Sequence, residues 1–174
     1  MPVATASQTI GPYWHLIDDA SWADLTRFGP EGGETIVLQG LIRDGEGAPV
    51  ADAAVEIWQS DPPASDQFTA FGRSRTDGDG LFRFVTLKPG PVAGLGNAQQ
   101  APHVAVSIFA RGLLQAVRTR LYFENEPLNE TDPVLSLIED ATRRRTLIAR
   151  KVAADTWQLD IRLQGEDETV FMEF

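Results

Sequence analysis

At 174 residues the chain suits one domain, expected over 1–174, long enough to bury roughly 70% of its unfolded surface, and 43% apolar with 23% charged residues is an ordinary globular mix. A formal charge of -10 and a pI near 4.6 exclude nucleic acid as a partner, and oblige any small anionic ligand to find a local cation. The absence of cysteine excludes disulfides, thiolate metal sites and a cysteine nucleophile; no apolar run approaches the ~20 residues of a membrane span, and residues 1–10 lack signal-peptide regions, so the expected compartment is the cytoplasm.

In chain order, residues 1–33 read as an irregular segment punctuated by Pro2, Gly11, Pro12, Gly29, Pro30, Gly32 and Gly33. The spacing of Trp22, Leu25 and Phe28 predicts at most one short helix over 18–28. Tyr13, Trp14, Trp22 and Phe28 make this segment too apolar for a tail, so they are expected to pack on the domain or on another subunit. From Glu34 the pattern becomes β. Strands are predicted over 36–42 and 55–59 around the turn D-G-E-G-A-P-V, and a second hairpin at T-D-G-D-G-L-F-R-F, with Phe82 and Phe84 on one face. Further strands follow over 103–110, 117–123 and 157–163, with an edge strand over 169–174. A helical insertion is expected near 133–151, as helices over 133–139 and 141–151. Short strands with turn signals at this spacing predict an all-β sandwich over 34–174.

Several constellations invite chemical readings. D-G-D-G at 77–80 looks like a calcium loop but lacks the later oxygen ligands, because Leu81, Phe82 and Phe84 follow; it reads as a turn. Arg143, Arg144 and Arg145, with Arg150 and Lys151, read as a solvated face or an intersubunit patch. His15 reads as a hydrogen-bonded packing residue, and Tyr122 as core or interface. The strongest signal is A-P-H-V-A-V-S-I-F-A-R-G at 101–112. Alternate residues of a strand share a face, so H-x-H there would chelate one metal ion, but His103 is followed two positions on by Ala105, which has no donor atom. The chain's two histidines and two tyrosines would make an N₂O₂ ferric set only if Tyr13 and His15 met His103 and Tyr122, and nothing in the sequence fixes that relation. Arg111 ends an apolar strand just before Gly112, where a strand end carries a guanidinium to the sandwich rim. A planar fork there matches a carboxylate, or else forms an ion pair at the surface or an interface.

Taken together, S-Q-T-I-G-P-Y at 7–13, V-E-I-W-Q-S-D at 55–61, F-G-R-S-R-T-D-G-D-G at 71–80, L-K-P-G-P at 87–91, the 101–112 strand, T-R-L-Y-F-E at 119–124, T-L-I-A-R at 146–150 and I-R-L-Q-G-E-D-E-T-V-F at 161–171 resemble the intradiol ring-cleavage dioxygenases along nearly the whole chain. The resemblance implies a Greek-key β-sandwich of that family's type, with an irregular N-terminal segment and short helices. It is to the two-chain members, whose beta-type chain holds ferric iron, Fe(3+), through two tyrosines and two histidines. Here Val92 follows K-P-G-P, Ala105 stands at the second histidine, and the segment after W-Q has no tyrosine, so three of the four ligands are missing. What is implied is therefore an alpha-type chain with no metal ligand and no catalytic residue of its own, working in an αβ assembly with a homologous beta chain. The implied reaction is cleavage of 3,4-dihydroxybenzoate by O₂ to 3-carboxy-cis,cis-muconate in the β-ketoadipate pathway. The substrate wall carried over by the resemblance is Thr9, Gly11, Pro12 and Arg111, with Tyr13 beside them. A non-catalytic transthyretin-like sandwich module would account for G-x-x-x-D-x-x-G-x-P-V-x-x-A-x-V-E at 40–56, but not for 87–112 or the C-terminal motif. A self-sufficient metalloenzyme would account for the two histidines and two tyrosines.

Overall fold

The computed structural model describes residues 9–16, 18–29 and 32–173. Ser7 and Gln8 of the S-Q-T-I-G-P-Y motif, and Phe174 of the expected last strand, lie outside the described residues. Eleven strands are assigned among those described. They are β1 (Thr35–Arg43), β2 (Ala54–Trp58), β3 (Phe71–Arg75), β4 (Leu81–Leu87), β5 (Val92–Ala93) and β6 (Gln99–Gln100). After them come β7 (His103–Phe109), β8 (Val117–Phe123), β9 (Ile148–Lys151), β10 (Thr156–Gln158) and β11 (Ile161–Arg162).

Two layers form. In one, β1 pairs antiparallel with β4 and parallel with β10 and β11. In the other, β8, β7, β2 and β3 are antiparallel neighbours. Strand β9 joins the layers, parallel to β8 and antiparallel to β10. The chain crosses between layers at β1–β2, β3–β4 and onward to β7, the connection pattern of Greek-key sandwiches. The core lies between the layers: Ile36, Leu38, Phe82, Phe84 and Trp157 from one meet Val55, Ile57, Val104, Val106 and Leu121 from the other. Gly40 is required on β1 where the chain passes from β10 to β11. A Cβ there would lie 1.8 Å from the Leu159 carbonyl oxygen, so β10 and β11 run beside β1 with a break between them.

Turns form at both predicted places, but neither closes a hairpin: β1 and β2, like β3 and β4, lie in opposite layers and pair with other strands, because each turn carries the chain across the sandwich. Asp44 Oδ1 accepts from the Glu46 and Ala48 amides at 3.0 and 2.9 Å, and Asp77 Oδ1 accepts from Asp79 and Leu81 at 3.0 and 2.9 Å. Asp77–Gly80 is thus a turn, and Phe82 and Phe84 after it go into the core from β4.

The helical expectations need correction. Over 18–28 only a 3₁₀ turn forms, Ala20–Ala23, capped by Asp19 Oδ1 on the Ser21 amide at 2.9 Å. Asp24 then accepts from the Thr26 amide at 2.9 Å, a local turn that competes with helix, and the Leu25 amide bonds the Val85 carbonyl instead. The insertion near 133–151 is shorter than expected: a 3₁₀ turn Leu135–Leu137 and a five-residue helix α1 (Ala141–Arg145). It ends because 148–151 is captured by β8 as strand β9. Residues 169–173 form no strand, although Thr169 and Met172 donate to the Arg162 and Arg118 carbonyls at 3.0 and 2.8 Å. The β5–β6 hairpin was not foreseen. Among the described residues no helix is long and apolar enough to cross a membrane.

Candidate functional site

Strand β7 carries both sequence candidates, one at each end. Its residues alternate half-buried and buried from His103 to Phe109, which puts His103, Ala105, Ser107 and Phe109 on the outer face and Val104, Val106 and Ile108 in the core. At roughly 3.3 Å per residue, the run from His103 to Arg111 spans about 25 Å. One side-chain cluster cannot include both.

At the first end, His103 Nδ1 lies 2.8 Å from the Ala101 carbonyl oxygen. A carbonyl only accepts, so Nδ1 carries the proton and Nε2 keeps the lone pair. Burial lowers the His103 pKa, the Ala101 carbonyl opposes that shift, Arg120 adds to it and Asp132 opposes it. The imidazole therefore stays neutral at pH 7 against the Tyr122 ring, with centroids 5.5 Å apart. Tyr122 is fully buried, and its hydroxyl donates to Asp132 Oδ1 and accepts from Arg120 Nη1, each at 3.2 Å. Burial pushes its pKa far up, so it remains a phenol. Asp132, also fully buried, accepts from the Val134, Leu135 and Ala101 amides at 2.8, 2.9 and 2.8 Å. Arg120 donates to Gln100 Oε1 at 2.7 Å and stands opposite Ala105 across the β7–β8 pair.

These residues do not fit a ferric ion. The strand position that would supply a second donor is Ala105, the side chain opposite it is the permanent cation Arg120, and the nearby phenol is committed to Asp132 and Arg120. Val92, after K-P-G-P, and the 59–69 segment add no tyrosine; Gln59 and Asp61 there bond the Leu87 carbonyl and the Gly90 amide. Tyr13 is 73% exposed and sits in the segment on the other end of the sandwich, so the conceivable N₂O₂ set is not assembled.

The second end is a rim. Thr76 is buried and ties the loop before β2 in place: its hydroxyl donates to the Val50 carbonyl and accepts from the Ala53 amide, both at 2.8 Å. Asp52 in that loop adopts a left-handed backbone, φ 67°, which aspartate tolerates. Its carboxylate lies 2.9 Å from Arg75 Nη2 and 4.0 Å from Arg111 Nε. Arg75 reaches on over the ring of Trp14, 5.9 Å from its centroid. A cleft of about 560 Å³ opens beside Arg111, walled by Asp44, Pro49, Val50, Ala51, Ala110 and Gln164.

Of the carried-over wall residues, Thr9, Pro12 and Tyr13 are exposed, and Gly11 has φ 75° with nothing within 4 Å of where a Cβ would stand. The Arg111 side chain is 73% exposed. Thr9–Tyr13 and Arg111 therefore present outward-facing groups joined through Trp14, Arg75 and Asp52 rather than by direct contact. Sequence reasoning missed Asp52 and Arg75, and the only signal was an acid directly after the turn P-V-A. The expectation for the N-terminal aromatics holds for Trp14, which is buried, and for Trp22, which is half-buried under Arg73. Tyr13 and Phe28 do not pack on this domain, which leaves the other half of that expectation, another subunit, for them; His15 is exposed in this chain. In the basic run Arg143 lies 3.9 Å from Glu168 and Arg144 bonds the Ile138 carbonyl, both half-buried, while Arg145, Arg150 and Lys151 are exposed in this chain.

Residues 11–165 match the family model described as Dioxygenase. The chain is 40% identical over 195 aligned positions to the protocatechuate 3,4-dioxygenase alpha chain of Pseudomonas putida, covering 98% of this chain and 96% of that one. It is 34% identical to the protocatechuate 3,4-dioxygenase beta chain of Burkholderia cepacia, over 79% of this chain and 67% of that one. Its fold superposes on the dioxygenase domain of a dioxygenase–carbohydrate-binding protein fusion from Streptomyces sp. SirexAA-E, with a TM-score of 0.63 and 26% identity, covering 92% and 98% of the two chains.

Proposed function

Because the chain belongs to the intradiol ring-cleavage dioxygenases, on the alpha-chain side of that family, we propose that it forms one wall of a catalytic crevice completed by a homologous beta-type chain. The ferric iron belongs to that partner. The substrate is 3,4-dihydroxybenzoate, and the product, 3-carboxy-cis,cis-muconate, takes up both atoms of O₂ between the hydroxylated carbons. The setting is a repeating αβ assembly in the cytoplasm. One observation carries this reading: β7 separates a donor-poor His103 end from an outward-facing arginine rim, so the rim serves a metal centre held by another chain.

This chain's own contribution is binding and orientation. Arg111 offers a guanidinium fork to the ring carboxylate, supplying the local cation that a chain of net charge -10 otherwise lacks for an anionic ligand. Gly11, in its left-handed conformation and without a side chain, lets backbone approach the ring closely, while Pro12 fixes the direction of the chain beside it. Thr9 and Tyr13 add polar edges to the same wall.

The test is Arg111→Ala in the αβ holoenzyme. Loss of a charge-assisted contact at a partly solvated site is expected to lower kcat/KM for 3,4-dihydroxybenzoate about tenfold to hundredfold. Iron content and visible absorption should be unchanged, and the chain purified alone should be colourless. An unaltered kcat/KM would return Arg111 to a surface ion pair with Asp52.

A further inference from the structure

Arg111 is long and 73% exposed, and a wall built on such a side chain alone would lose orientation entropy each time substrate bound. Asp52 lies directly beneath it. We propose that Asp52 is a positioning residue that sets the direction of the Arg111 fork, and so fixes the preference for a carboxylated over an unsubstituted catechol; this rests on the functional reading above.

The geometry is one-sided. Asp52 Oδ2 faces Arg111 Nε at 4.0 Å, a charge contact at the edge of the guanidinium nearest the stem. The acid is itself held. Its side chain is only 20% exposed against 73% for Arg111, and Arg75 Nη2 stands 2.9 Å from its other oxygen. The backbone around it is fixed on both sides by the buried Thr76. A tucked, fixed acid beside an exposed cation is an arrangement for steering the cation. Arg75 also balances the charge, so Arg111 need not neutralise Asp52 and stays available to a ligand. The same arginine stacks on Trp14, which places the root of the N-terminal wall on the same ion cluster.

Asp52→Asn isolates the charge. Asparagine is nearly isosteric and tolerates the left-handed backbone at this position, where φ is 67°. Neutralising Asp52 also weakens its pair with Arg75, so a small fall in Tm is expected, and the catechol control separates that from the effect on Arg111. In the αβ holoenzyme, Asp52→Asn should raise KM for 3,4-dihydroxybenzoate about threefold to tenfold and leave kcat within about twofold. Turnover of catechol, which has no carboxylate, should not change. In an Arg111→Ala background the effect of Asp52→Asn should disappear, the non-additivity expected when one residue acts through another.

An inert Arg111→Ala would overturn the functional reading and this proposal with it. A responsive Arg111→Ala beside an additive Asp52→Asn, or beside equal losses on both catechols, would overturn the Asp52 proposal alone. A fall in KM in Asp52→Asn would also overturn it, because it would show that the acid competes with substrate for Arg111.

Discussion

The two ends of β7 use the same kinds of residue for opposite purposes. At the His103 end an imidazole, a phenol, a guanidinium and a carboxylate meet, and each spends its hydrogen bonds on a neighbour: Arg120 on Gln100 and Tyr122, Tyr122 on Asp132, Asp132 on three amides, His103 on a carbonyl. At the Arg111 end the acid is tucked and the arginine is exposed, and among the described residues its fork meets a charged partner through Nε, at 4.0 Å. Polar groups that satisfy one another hold a fold together. A charged group left outward beside a cleft, with its base steadied from below, is available to a ligand. By residue type alone the His103 end looks more like an active site, and by satisfaction it is the structural one.

That contrast breaks or survives first at Asp132. Asp132→Ala would leave three amides and the Tyr122 hydroxyl without their acceptor in a buried place, and would unbalance Arg120. We expect a loss of about 3–5 kcal/mol in unfolding free energy, with Tm lower by about 10 °C. Chemical denaturation of the αβ complex measures it. A loss near zero would mean that this cluster is not structural, and the comparison between the two ends would collapse.

Tyr122→Phe sharpens the same point with a smaller change. It removes one hydroxyl, keeps the ring against His103, and leaves Asp132 its three amide donors, so about 1–2 kcal/mol of stability should go. The kcat/KM of the holoenzyme for 3,4-dihydroxybenzoate should stay within about twofold. A large kinetic loss at unchanged iron content would place a working site at the His103 end after all.

How far the sequence showed this division depends on which physical signal each residue leaves. Alternation of apolar residues and Asp-Gly turns made β1, β2, β4, β7 and β8 legible, because period-two burial and turn geometry are local properties. The 141–151 helix was overextended because Ile148–Lys151 is helical by local preference but is captured by β8, a partner remote in sequence. Ala105 announced the donor deficit directly, since a missing atom needs no structure to be noticed. The Asp132–Tyr122–Arg120 relay was not legible, as it joins β8 to a turn whose position only the tertiary fold sets. Asp52 and Arg75 were hidden for the same reason: they meet because β2 and β3 pair, with Ala54 opposite Arg75.

The smallest expected effect is the most specific to the buried end. His103 has its pKa lowered first by burial, so the folded protein resists protonating it while the unfolded chain takes the proton at its ordinary value near 6.5. The sign follows from the proton count. Below about pH 6.5 the unfolded state binds more protons at this residue than the native state, so stability falls as pH falls. The contribution is fully present above 6.5 and is withdrawn on acidification towards the lowered native value. Comparison with His103→Asn isolates it. The exposed His15 and every carboxylate are present in both proteins, so the difference in unfolding free energy between pH 7.5 and 5 reports residue 103 and the charges coupled to it. The wild-type chain should lose more stability than the variant over that interval. A flat difference, or one that grows in favour of the wild type in acid, would mean that the Ala101 carbonyl and Asp132 outweigh burial. His103 would then be an imidazole ready to hold charge, and the His103 end would have more in common with the rim than its hydrogen bonds suggest.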